Sequence, residues 1–395
     1  ERLLGQVFAV SSQIVDEGIC SMEDVDRGAK VGLRWARGPF ELANRIGVGE
    51  AVRVASAYAE EAGLELPDWF ISRKEPFEFS YIDVGVEDGI ATVRINRPEA
   101  MNALNVTVVS QLGEVLDGLN ARDDVTTIAL EGAGKAFVAG ADVKFFVDKI
   151  RADAIQDIYD FTAHGHAVLD KLESSPKTTI ALTTGLALGG GLELALACDY
   201  RVGTRRTQFR FPETGIGIYP GLGGTQRTPR ICGLGCARYS VLAGSFLDAV
   251  SAEAFGLLTH LVEPSQVEAT VSSIADAGKP EDKYPGRPAD PENATVAFAT
   301  SFYSDGNMAS LMSGEIPDGF DVADKVASRQ LKSLSRAAPI ALSMANDLLD
   351  AAAGLDLKAG LEGELKGLER IFGTSDALEG LSALIEGRRP NYTNA

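Results

Sequence analysis

Short apolar runs alternate with turn residues across the middle of the chain. One run at 90–95 follows an Asp-Gly turn at 88–89, and others recur at 126–130, 179–183 and 200–203. Each run has the length of a strand, and β-branched residues recur among them. The pattern therefore predicts a succession of short β-strands.

Helical periodicity fills the stretches between these strands. Apolar residues recur at helical spacing at Leu112, Val115, Leu116 and Leu119. This spacing places the side chains on one face of a helix. From Ser335 the chain is again predicted to be helical, with Pro339 near a helix start and apolar periodicity through Leu349. Strands that alternate with helices predict an α/β fold of stacked ββα units.

The composition of the whole chain excludes several function classes. A chain of 395 residues can bury a sizeable core and has room for more than one domain. Its formal net charge of −19 argues against a nucleic acid or an anionic membrane as a partner. The apolar stretch 178–198 contains a glutamate and a glycine cluster, so it predicts a strand, a turn and a helix rather than a membrane span. We expect a cytoplasmic protein.

Cysteine and histidine positions give little support for a metal site. The four cysteines have neither metal-finger spacing nor a disulfide-rich pattern, and Cys198 is predicted to lie in the core. His164 and His166 could hold a metal or act as a base, but no Cys, Asp or Glu ligand set accompanies them. We therefore predict no metal site.

Two glutamates twenty residues apart carry the strongest chemical signal. Glu193 ends the sequence Leu-Ala-Leu-Gly-Gly-Gly-Leu-Glu at 186–193, and Glu213 lies in Phe-Pro-Glu-Thr-Gly at 211–215. A glycine run at the start of a helix lets backbone N–H groups approach a ligand oxygen, with the positive end of the helix dipole behind them. This pattern indicates an acid/base pair beside an anion-stabilising backbone.

Each part of this pattern also has an ordinary structural explanation. The glycines at 189–191 could serve only the close packing of a helix on a strand. Glu193 could interact with the dipole of its own helix, and Glu213 could be an exposed turn carboxylate. However, a second small-residue turn, Ala-Gly-Ala-Asp at 139–142, also follows a predicted strand and could offer another N–H to the same oxygen. The paired context favours the catalytic interpretation.

The order of these motifs resembles that of the crotonase superfamily, the enoyl-CoA hydratases and isomerases. The resemblance covers about 79–392 and includes, besides the two glutamates and the two turns, Arg-Pro-Glu-Ala-Met-Asn-Ala-Leu-Asn at 97–105, Pro-Gly-Leu-Gly-Gly-Thr-Gln-Arg at 220–227 and Thr-Ser-Asp-Ala-Leu-Glu-Gly at 374–380. It implies the crotonase spiral of ββα units. It also implies a C-terminal helical region, at about 326–395, that covers the acyl pocket and builds homotrimers or hexamers.

The resemblance further implies roles for particular residues. The backbone N–H groups of Ala141 and Gly190 match the oxyanion hole that holds the thioester carbonyl of an acyl-CoA. Glu193 matches the base that activates water, and Glu213 the acid that exchanges a proton at the α-carbon. Two such carboxylates in one pocket would resist ionising together, so at least one pKa should rise. The residues expected to bind the coenzyme A thioester are Ala100, Ala139, Asp142, Val143 and Lys144.

A coenzyme A thioester is an anionic substrate for an acidic chain. Local cations must offset the overall charge, and Arg97, Lys135 and Lys144 lie within the matching motifs. A solvated surface position is an equally open interpretation for each. The resemblance implies that no cofactor is required.

One segment and one residue depart from the family's pattern. Residues 278–320, with prolines at 280, 285, 288 and 291, are predicted to be an insertion loop. Such a loop could be surface decoration, or it could be a lid or an oligomer contact. Thr184 stands in the strand before the glycine triplet, where an asparagine is common, and we expect little effect on the chemistry.

Residues 1–69 resemble the C-terminal helical domain of the 3-hydroxyacyl-CoA dehydrogenases. The matching segments include 16–26 and Gly-Pro-Phe-Glu-Leu at 38–42. The resemblance implies a small all-α domain, joined by a linker at 70–78 to a crotonase domain at 79–395. No Gly-x-Gly-x-x-Gly unit lies upstream, and the chain begins at Glu1 rather than Met, which suggests a bifunctional fusion whose NAD-binding half is absent and could be a partner. Dehydrogenase activity is not expected from this chain alone.

Three functions remain open at this point. The leading one is the hydration of trans-2-enoyl-CoA to (S)-3-hydroxyacyl-CoA. An enoyl-CoA isomerase would need only one of the two carboxylates, and a non-catalytic acyl-CoA-binding or assembly module would need neither. The preferred acyl length depends on how residues 145–169 pack, which periodicity does not determine.

Overall fold

In the computed structural model of the chain, residues 1–284 and 289–394 are described. They form two compact units, Glu1–Tyr81 and Ile82–Ala395. Phe70 and Phe77, which both lie in the segment 70–78 expected to be a linker, are buried in the core of the first unit. The division between the units therefore falls a few residues after the expected linker.

The first unit is helical. Its α-helices are α1 (Arg2–Asp16), α2 (Met22–Arg27), α3 (Pro39–Ile46), α4 (Val48–Ala62) and α5 (Asp68–Ile71). The buried carboxylate of Asp26 accepts hydrogen bonds from the backbone N–H groups of Phe40 and Glu41, at 2.8 Å each, and so caps α3. A Cβ on Gly38 would lie 2.2 Å from Cγ of Asp26, so the motif at 38–42 needs its glycine.

The second unit contains two sheets. Its strands are β1 (Ile82–Glu87), β2 (Ile90–Ile95), β3 (Thr127–Gly132), β4 (Ala136–Ala139), β5 (Thr178–Thr183), β6 (Leu186–Leu188), β7 (Tyr200–Gly203), β8 (Gln208–Arg210), β9 (Leu247–Asp248) and β10 (His260–Leu261). Six strands form one sheet in the order β1-β2-β3-β5-β7-β10, and four form the other in the order β4-β6-β8-β9. Successive strand pairs β3/β4, β5/β6 and β7/β8 each place their first strand in the larger sheet and their second in the smaller one.

Helices follow these strand pairs, and more helices form the C-terminal region. They are α6 (Val106–Asn120), α7 (Val143–Arg151), α8 (Ile155–Glu173), α9 (Gly190–Ala197), α10 (Gly224–Cys232), α11 (Leu234–Val241), α12 (Ala249–Ala254), α13 (Val267–Ala277), α14 (Ala294–Phe302), α15 (Asp305–Ser313), α16 (Lys325–Leu334), α17 (Pro339–Ala351), α18 (Leu357–Phe372) and α19 (Ser375–Glu386). The predicted α/β class and the repeated ββα arrangement are confirmed.

The periodicity predicted several elements closely. Strand β2 coincides with the run at 90–95, and α17 begins at Pro339. In α6 the side chains of Leu112, Leu116 and Leu119 are buried, which is the apolar face that the spacing indicated. These elements bury their apolar faces locally, so a local pattern was enough to predict them.

The prediction of a loop at 278–320 is wrong for much of the described part of that segment. Helices α14 and α15 form there, and Phe302 and Tyr303 are fully buried. The buried guanidinium of Arg238 donates a hydrogen bond to the carbonyl oxygen of Tyr303 at 2.8 Å and pairs with Asp350 at 2.5 Å. The segment packs on α11 because its apolar residues cover that helix. Pro285 and Pro288 lie outside the described residues.

Within the described ranges, no helix is both long enough and apolar enough to cross a lipid bilayer.

Candidate active site

Three neighbouring strands of the smaller sheet end at the candidate site. In the parallel register, Ala139 of β4 pairs with Leu188 of β6, and Leu188 pairs with Arg210 of β8. Ala141 and Gly190 each follow that row by two residues, and Glu213 follows it by three. Because the carboxyl ends of parallel strands meet at one edge of a sheet, the predicted site residues converge there.

Two glycines of the triplet are needed for different reasons, and the third begins the helix. Gly189 has φ +48°, and a Cβ there would lie 2.3 Å from Oε1 of Glu213. A Cβ on Gly191 would lie 2.0 Å from the carbonyl oxygen of Val138, so this glycine allows close helix–strand packing. Gly190 is the first residue of α9, where backbone N–H groups have no partner within the helix. The packing explanation therefore holds for Gly191, while Gly189 and Gly190 border the site.

The turn at 139–142 presents its backbone in a similar way. Leu104 forms a parallel bridge with Ala141, in which the Leu104 N–H donates to Gly140 O at 2.9 Å and the Asp142 N–H donates to Leu104 O at 2.8 Å. This bridge uses the groups on either side of Ala141 and leaves the Ala141 N–H directed away from Leu104. Ala141 and Gly190 both line one cavity.

Glu193 is buried and held by backbone donors from outside its own helix. Its side chain is 2 % exposed, and its Oε1 accepts hydrogen bonds from the N–H groups of Leu222 and Gly224, both at 2.7 Å. The interpretation of Glu193 as a partner of its own helix dipole is therefore not needed. Burial raises the pKa of Glu193, and the two N–H donors partly oppose that rise.

Glu213 is not an exposed turn carboxylate. It begins a 3-10 turn at Glu213–Ile216 and is only 7 % exposed. Its Oε2 is buried without a hydrogen-bond partner among the described residues. Burial, and then the charge of Glu193, hold the pKa of Glu213 well above its ordinary value. The two carboxylates are thus close enough to discourage each other's ionisation, as the sequence indicated.

Both glutamates face a cavity of about 390 Å³ whose lining is mainly apolar. The apolar lining includes Phe146 on α7, Phe161 on α8, Leu368 and Phe372 on α18, and Leu381 and Leu384 on α19. Phe146 stacks on Phe372 with ring centroids 5.2 Å apart. The cavity can therefore accommodate an apolar group beside two carboxylates and two backbone turns.

The structure divides the residues that were expected to bind substrate. Ala139 and Val143 line the cavity, whereas Ala100, Asp142 and Lys144 lie outside its lining. Asp142 instead forms an ion pair with Arg97, in which Nη2 of Arg97 lies 3.4 Å from Oδ2 of Asp142.

The three candidate cations also have different surroundings. Arg97 is half-buried, and its Nη1 also donates to the carbonyl oxygen of Ala103 at 3.3 Å, so it braces the local turn. Lys135 and Lys144 are exposed, as is Thr184. A phosphate-binding role is therefore still compatible with the two lysines.

The two histidines lie in different environments. His166 is buried, and its Nε2–H donates to the carbonyl oxygen of Gly221 at 2.7 Å, while burial lowers its pKa to about 4. His164 is exposed and lies 3.4 Å from the hydroxyl of Ser110. In the described part of the chain, no group of three or more His, Cys, Asp or Glu side chains could hold a metal ion. Cys198 is fully buried, as predicted.

Sequence reasoning missed a third buried glutamate. Glu364 on α18 is 0 % exposed and accepts hydrogen bonds from the N–H groups of Gly223 at 2.7 Å and Thr225 at 3.1 Å. Burial raises the pKa of Glu364 as well, and the charge of Glu193 adds to the rise. The available signal was its spacing: Glu364 lies four residues from both Gly360 and Leu368, on the buried face of the helix.

Known families match both parts of the chain. The family described as enoyl-CoA hydratase/isomerase matches residues 90–395, and the C-terminal domain of 3-hydroxyacyl-CoA dehydrogenase matches residues 1–71. Crotonyl-CoA hydratase from Syntrophomonas wolfei is 38% identical over 190 residues, covering 48% of this chain and 72% of that protein. Short-chain-enoyl-CoA hydratase from Clostridium acetobutylicum is 36% identical over 200 residues, covering 50% of this chain and 75% of that protein.

Solved structures share the fold. A carnitinyl-CoA dehydratase from Mycobacterium thermoresistibile superposes with a TM-score of 0.68 at 24% identity, over 80% of this chain and 92% of that one. An enoyl-CoA hydratase from Rhodobacter sphaeroides superposes with a TM-score of 0.67 at 22% identity, over 79% of this chain and 92% of that one. At these identities the likeness establishes the architecture alone.

Proposed function

We propose that this chain, which belongs to the enoyl-CoA hydratase/isomerase family, is an enoyl-CoA hydratase that adds water reversibly to trans-2-enoyl-CoA thioesters. The observation that carries the proposal is the pair of buried carboxylates, Glu193 and Glu213, in one cavity with the turns at Ala141 and Gly190. The product would be the (S)-3-hydroxyacyl-CoA.

We assign the base to Glu193 and the acid to Glu213. Both backbone donors reach Oε1 of Glu193, so its Oε2 is the oxygen available to take a proton from water. Two backbone N–H donors favour the ionised form of Glu193, whereas Oε2 of Glu213 has no hydrogen-bond partner among the described residues and burial and the charge of Glu193 raise the pKa of Glu213, so we assign the proton of the pair to Glu213. The N–H groups of Ala141 and Gly190 would bind the thioester oxygen as it gains negative charge.

The proposed step balances in protons and electrons. The water oxygen forms a bond to C3 while Oε2 of Glu193 takes the water proton. The C2–C3 π electrons move toward the thioester oxygen, which the two N–H groups stabilise. The enolate then collapses as C2 takes the proton of Glu213. The step leaves Glu193 protonated and Glu213 ionised, so Glu193 then releases its proton to solvent and Glu213 takes one up, which restores the starting state. We propose that no cofactor or metal takes part.

Hydration of crotonyl-CoA by the purified chain tests this proposal, followed as loss of the enoyl-thioester absorbance. We expect Glu193→Gln and Glu213→Gln each to lower kcat by about 10²-fold or more, because each removes a general acid or base. Glu362→Gln, which removes an exposed carboxylate from α18, is the control and should retain full activity. A folded wild-type chain without hydratase activity would refute the assignment.

An isomerase would respond differently to the same variants. Shifting a double bond needs one carboxylate to move one proton, so Glu193→Gln would then retain far more activity than Glu213→Gln. Assaying a 3-enoyl-CoA alongside crotonyl-CoA separates the two reactions. If neither substitution altered turnover, and ligand affinity alone changed, a non-catalytic acyl-CoA-binding module would be favoured.

Partners beyond the substrate belong to the same proposal. The match of residues 1–71 to a 3-hydroxyacyl-CoA dehydrogenase domain supports an NAD-binding dehydrogenase half as a partner, because that enzyme oxidises the hydratase product. We also propose a homotrimer or hexamer in the cytoplasm. Light scattering on the purified chain tests the oligomeric state, since a trimer has three times the 41.8 kDa mass of the chain.

A further inference from the structure

We propose that Glu364 is a positioning residue for the base Glu193, which it orients through the loop Leu222–Thr225 that the two carboxylates share. The inference rests on the hydratase function proposed above. It assigns a role to a carboxylate that does not line the cavity and would not touch the substrate.

The four consecutive N–H groups of this loop alternate between the two glutamates. Leu222 and Gly224 donate to Glu193, both at 2.7 Å. Gly223 and Thr225 donate to Glu364, at 2.7 Å and 3.1 Å, and the Thr225 hydroxyl donates to it as well. Since alternate N–H groups point to opposite sides, the loop lies between two buried carboxylates.

Other contacts fix a carbonyl group in the same loop and one in the residue before it. The buried guanidinium of Arg227 donates to the carbonyl oxygen of Leu222 at 2.9 Å, and His166 donates to that of Gly221 at 2.7 Å. Side chains would not fit here: a Cβ on Gly223 would lie 1.8 Å from Nη1 of Arg227, and one on Gly224 would lie 2.8 Å from Oε1 of Glu193. The loop backbone therefore has little conformational freedom while Gly223 and Thr225 donate to Glu364.

Burying a carboxylate costs desolvation free energy, which its hydrogen bonds must offset. Glutamine has nearly the same shape, but its amide nitrogen donates rather than accepts. At position 364 that nitrogen would face either the N–H of Gly223 or the N–H and hydroxyl of Thr225. Because two donors cannot hydrogen-bond to each other, the loop would have to shift. The donors at Leu222 and Gly224 would shift with it, so Glu193 would lose alignment with the water that it deprotonates.

Two effects of the substitution on Glu193 have opposite signs. The N–H donors favour the ionised form of Glu193, so weakening them raises its pKa. Where Glu364 is ionised, its negative charge opposes ionisation of Glu193, so removing that charge alone would lower the pKa of Glu193. The other charged or titratable groups near this pair are Arg227, Glu213 and His166, with the Tyr219 hydroxyl donating to the backbone oxygen of Glu364. A pH profile therefore distinguishes positioning from a purely electrostatic effect.

The experiment compares Glu364→Gln with wild type and with Glu362→Gln, which removes an exposed charge from the same helix. We expect Glu364→Gln to lower kcat for crotonyl-CoA by about 10-fold to 100-fold with little change in KM, as a small misplacement of a catalytic group can. The acid limb of the pH profile of kcat/KM should move to higher pH. Glu362→Gln should match wild type in all three quantities.

Two results would overturn the proposal. One is an unchanged kcat and acid limb in folded Glu364→Gln, and the other is an acid limb that moves to lower pH, which would indicate charge alone. Wild-type activity in the same assay tests the hydratase function separately, so the two failures are distinguishable.

If Glu364→Gln does not fold, Thr225→Val keeps the proposal testable. This change removes one hydroxyl donor to Glu364 and retains the charge and the backbone N–H groups. We expect a smaller loss of kcat with the acid limb displaced in the same direction. A folded Thr225→Val variant with wild-type kcat and pH profile would contradict the proposal.

Discussion

Glu213 is a residue whose surroundings suit catalysis better than stability. Its Oε2 is buried without a partner in the described structure, and its pKa is raised by burial and by the charge of Glu193. A carboxyl group with a raised folded-state pKa stabilises the fold at low pH. That contribution is lost as the pH rises through the folded-state pKa, because the buried group must then ionise.

We therefore predict that Glu213→Gln unfolds at a higher temperature than wild type, by a margin that grows as the pH rises. Glutamine has similar size and does not ionise, so it avoids the cost of burying a charge. Thermal unfolding across the acid to mildly alkaline range measures the difference. The exposed variant Glu362→Gln should follow wild type throughout, and a margin that shrank with pH would contradict the explanation.

At the residue scale the sequence could predict Glu193 and Glu213 because each lies in a recognisable turn of the family. Glu364 could not be predicted in the same way, since a single glutamate in a helix is normally a solvated residue. Its partners come from a loop far away in the chain, so only the folded structure identifies them. Lys144 and Ala100 lie in recognisable motifs but outside the cavity lining, so their expected role in binding the thioester stays a prediction.

At the element scale, α18 forms part of the apolar lining of the cavity. Phe372 lines the cavity, is 4 % exposed and stacks on Phe146. We predict that Phe372→Ala raises kcat/KM for a longer 2-enoyl-CoA relative to crotonyl-CoA, because it enlarges the apolar space. The same change should destabilise the fold by about 3–5 kcal/mol.

A matched control separates the two effects. Phe302 on α14 is fully buried and does not line the cavity. Phe302→Ala should destabilise the chain by a similar amount and leave the ratio of the two substrates unchanged. Denaturant unfolding gives the stability, and steady-state kinetics gives the ratio. A changed ratio in both variants would show that lost stability, and not cavity shape, alters specificity.

Helix α14 and its neighbours are anchored by a buried cation on α11. Arg238 is 3 % exposed, with Tyr303 O and Asp305 each 2.8 Å away. We predict that Arg238→Met lowers the free energy of unfolding by about 1–3 kcal/mol, because the buried carbonyl loses its donor. KM for crotonyl-CoA should not change, because these residues do not line the cavity.

Arg205→Met provides the comparison, since Arg205 is 76% exposed and lies 3.6 Å from Glu263. An exposed pair of this kind contributes about 0–1 kcal/mol. An increased KM in Arg238→Met alone would instead favour the interpretation of this segment as a lid.

Helices and strands could be predicted wherever the apolar spacing or a proline within the segment itself indicated the element. β2, α6 and the start of α17 follow from apolar spacing and a proline. The helices in 278–320 were missed because prolines and small polar residues dominate that stretch, while α14 is stabilised by tertiary contacts of its aromatic residues.

At the scale of the whole molecule, the candidate site belongs to one unit. Every residue assigned to it lies within Ile82–Ala395. We predict that a fragment of residues 82–395 hydrates crotonyl-CoA with kcat within about twofold of the whole chain, because its core and both carboxylates are retained. Kinetics of the fragment and of the whole chain at equal concentration checks this. A folded but inactive fragment would show that the first unit contributes to the reaction.

The row formed by Ala139, Leu188 and Arg210 also bears on how an active molecule is produced. These residues are far apart in sequence, and contacts between distant segments form slowly because loop closure must come first. Helices such as α6 can form earlier from local interactions alone. A refolding chain should therefore recover most of its helical circular-dichroism signal before it recovers turnover. The return of enzymatic activity then reports when the strands of the smaller sheet have paired in their native register.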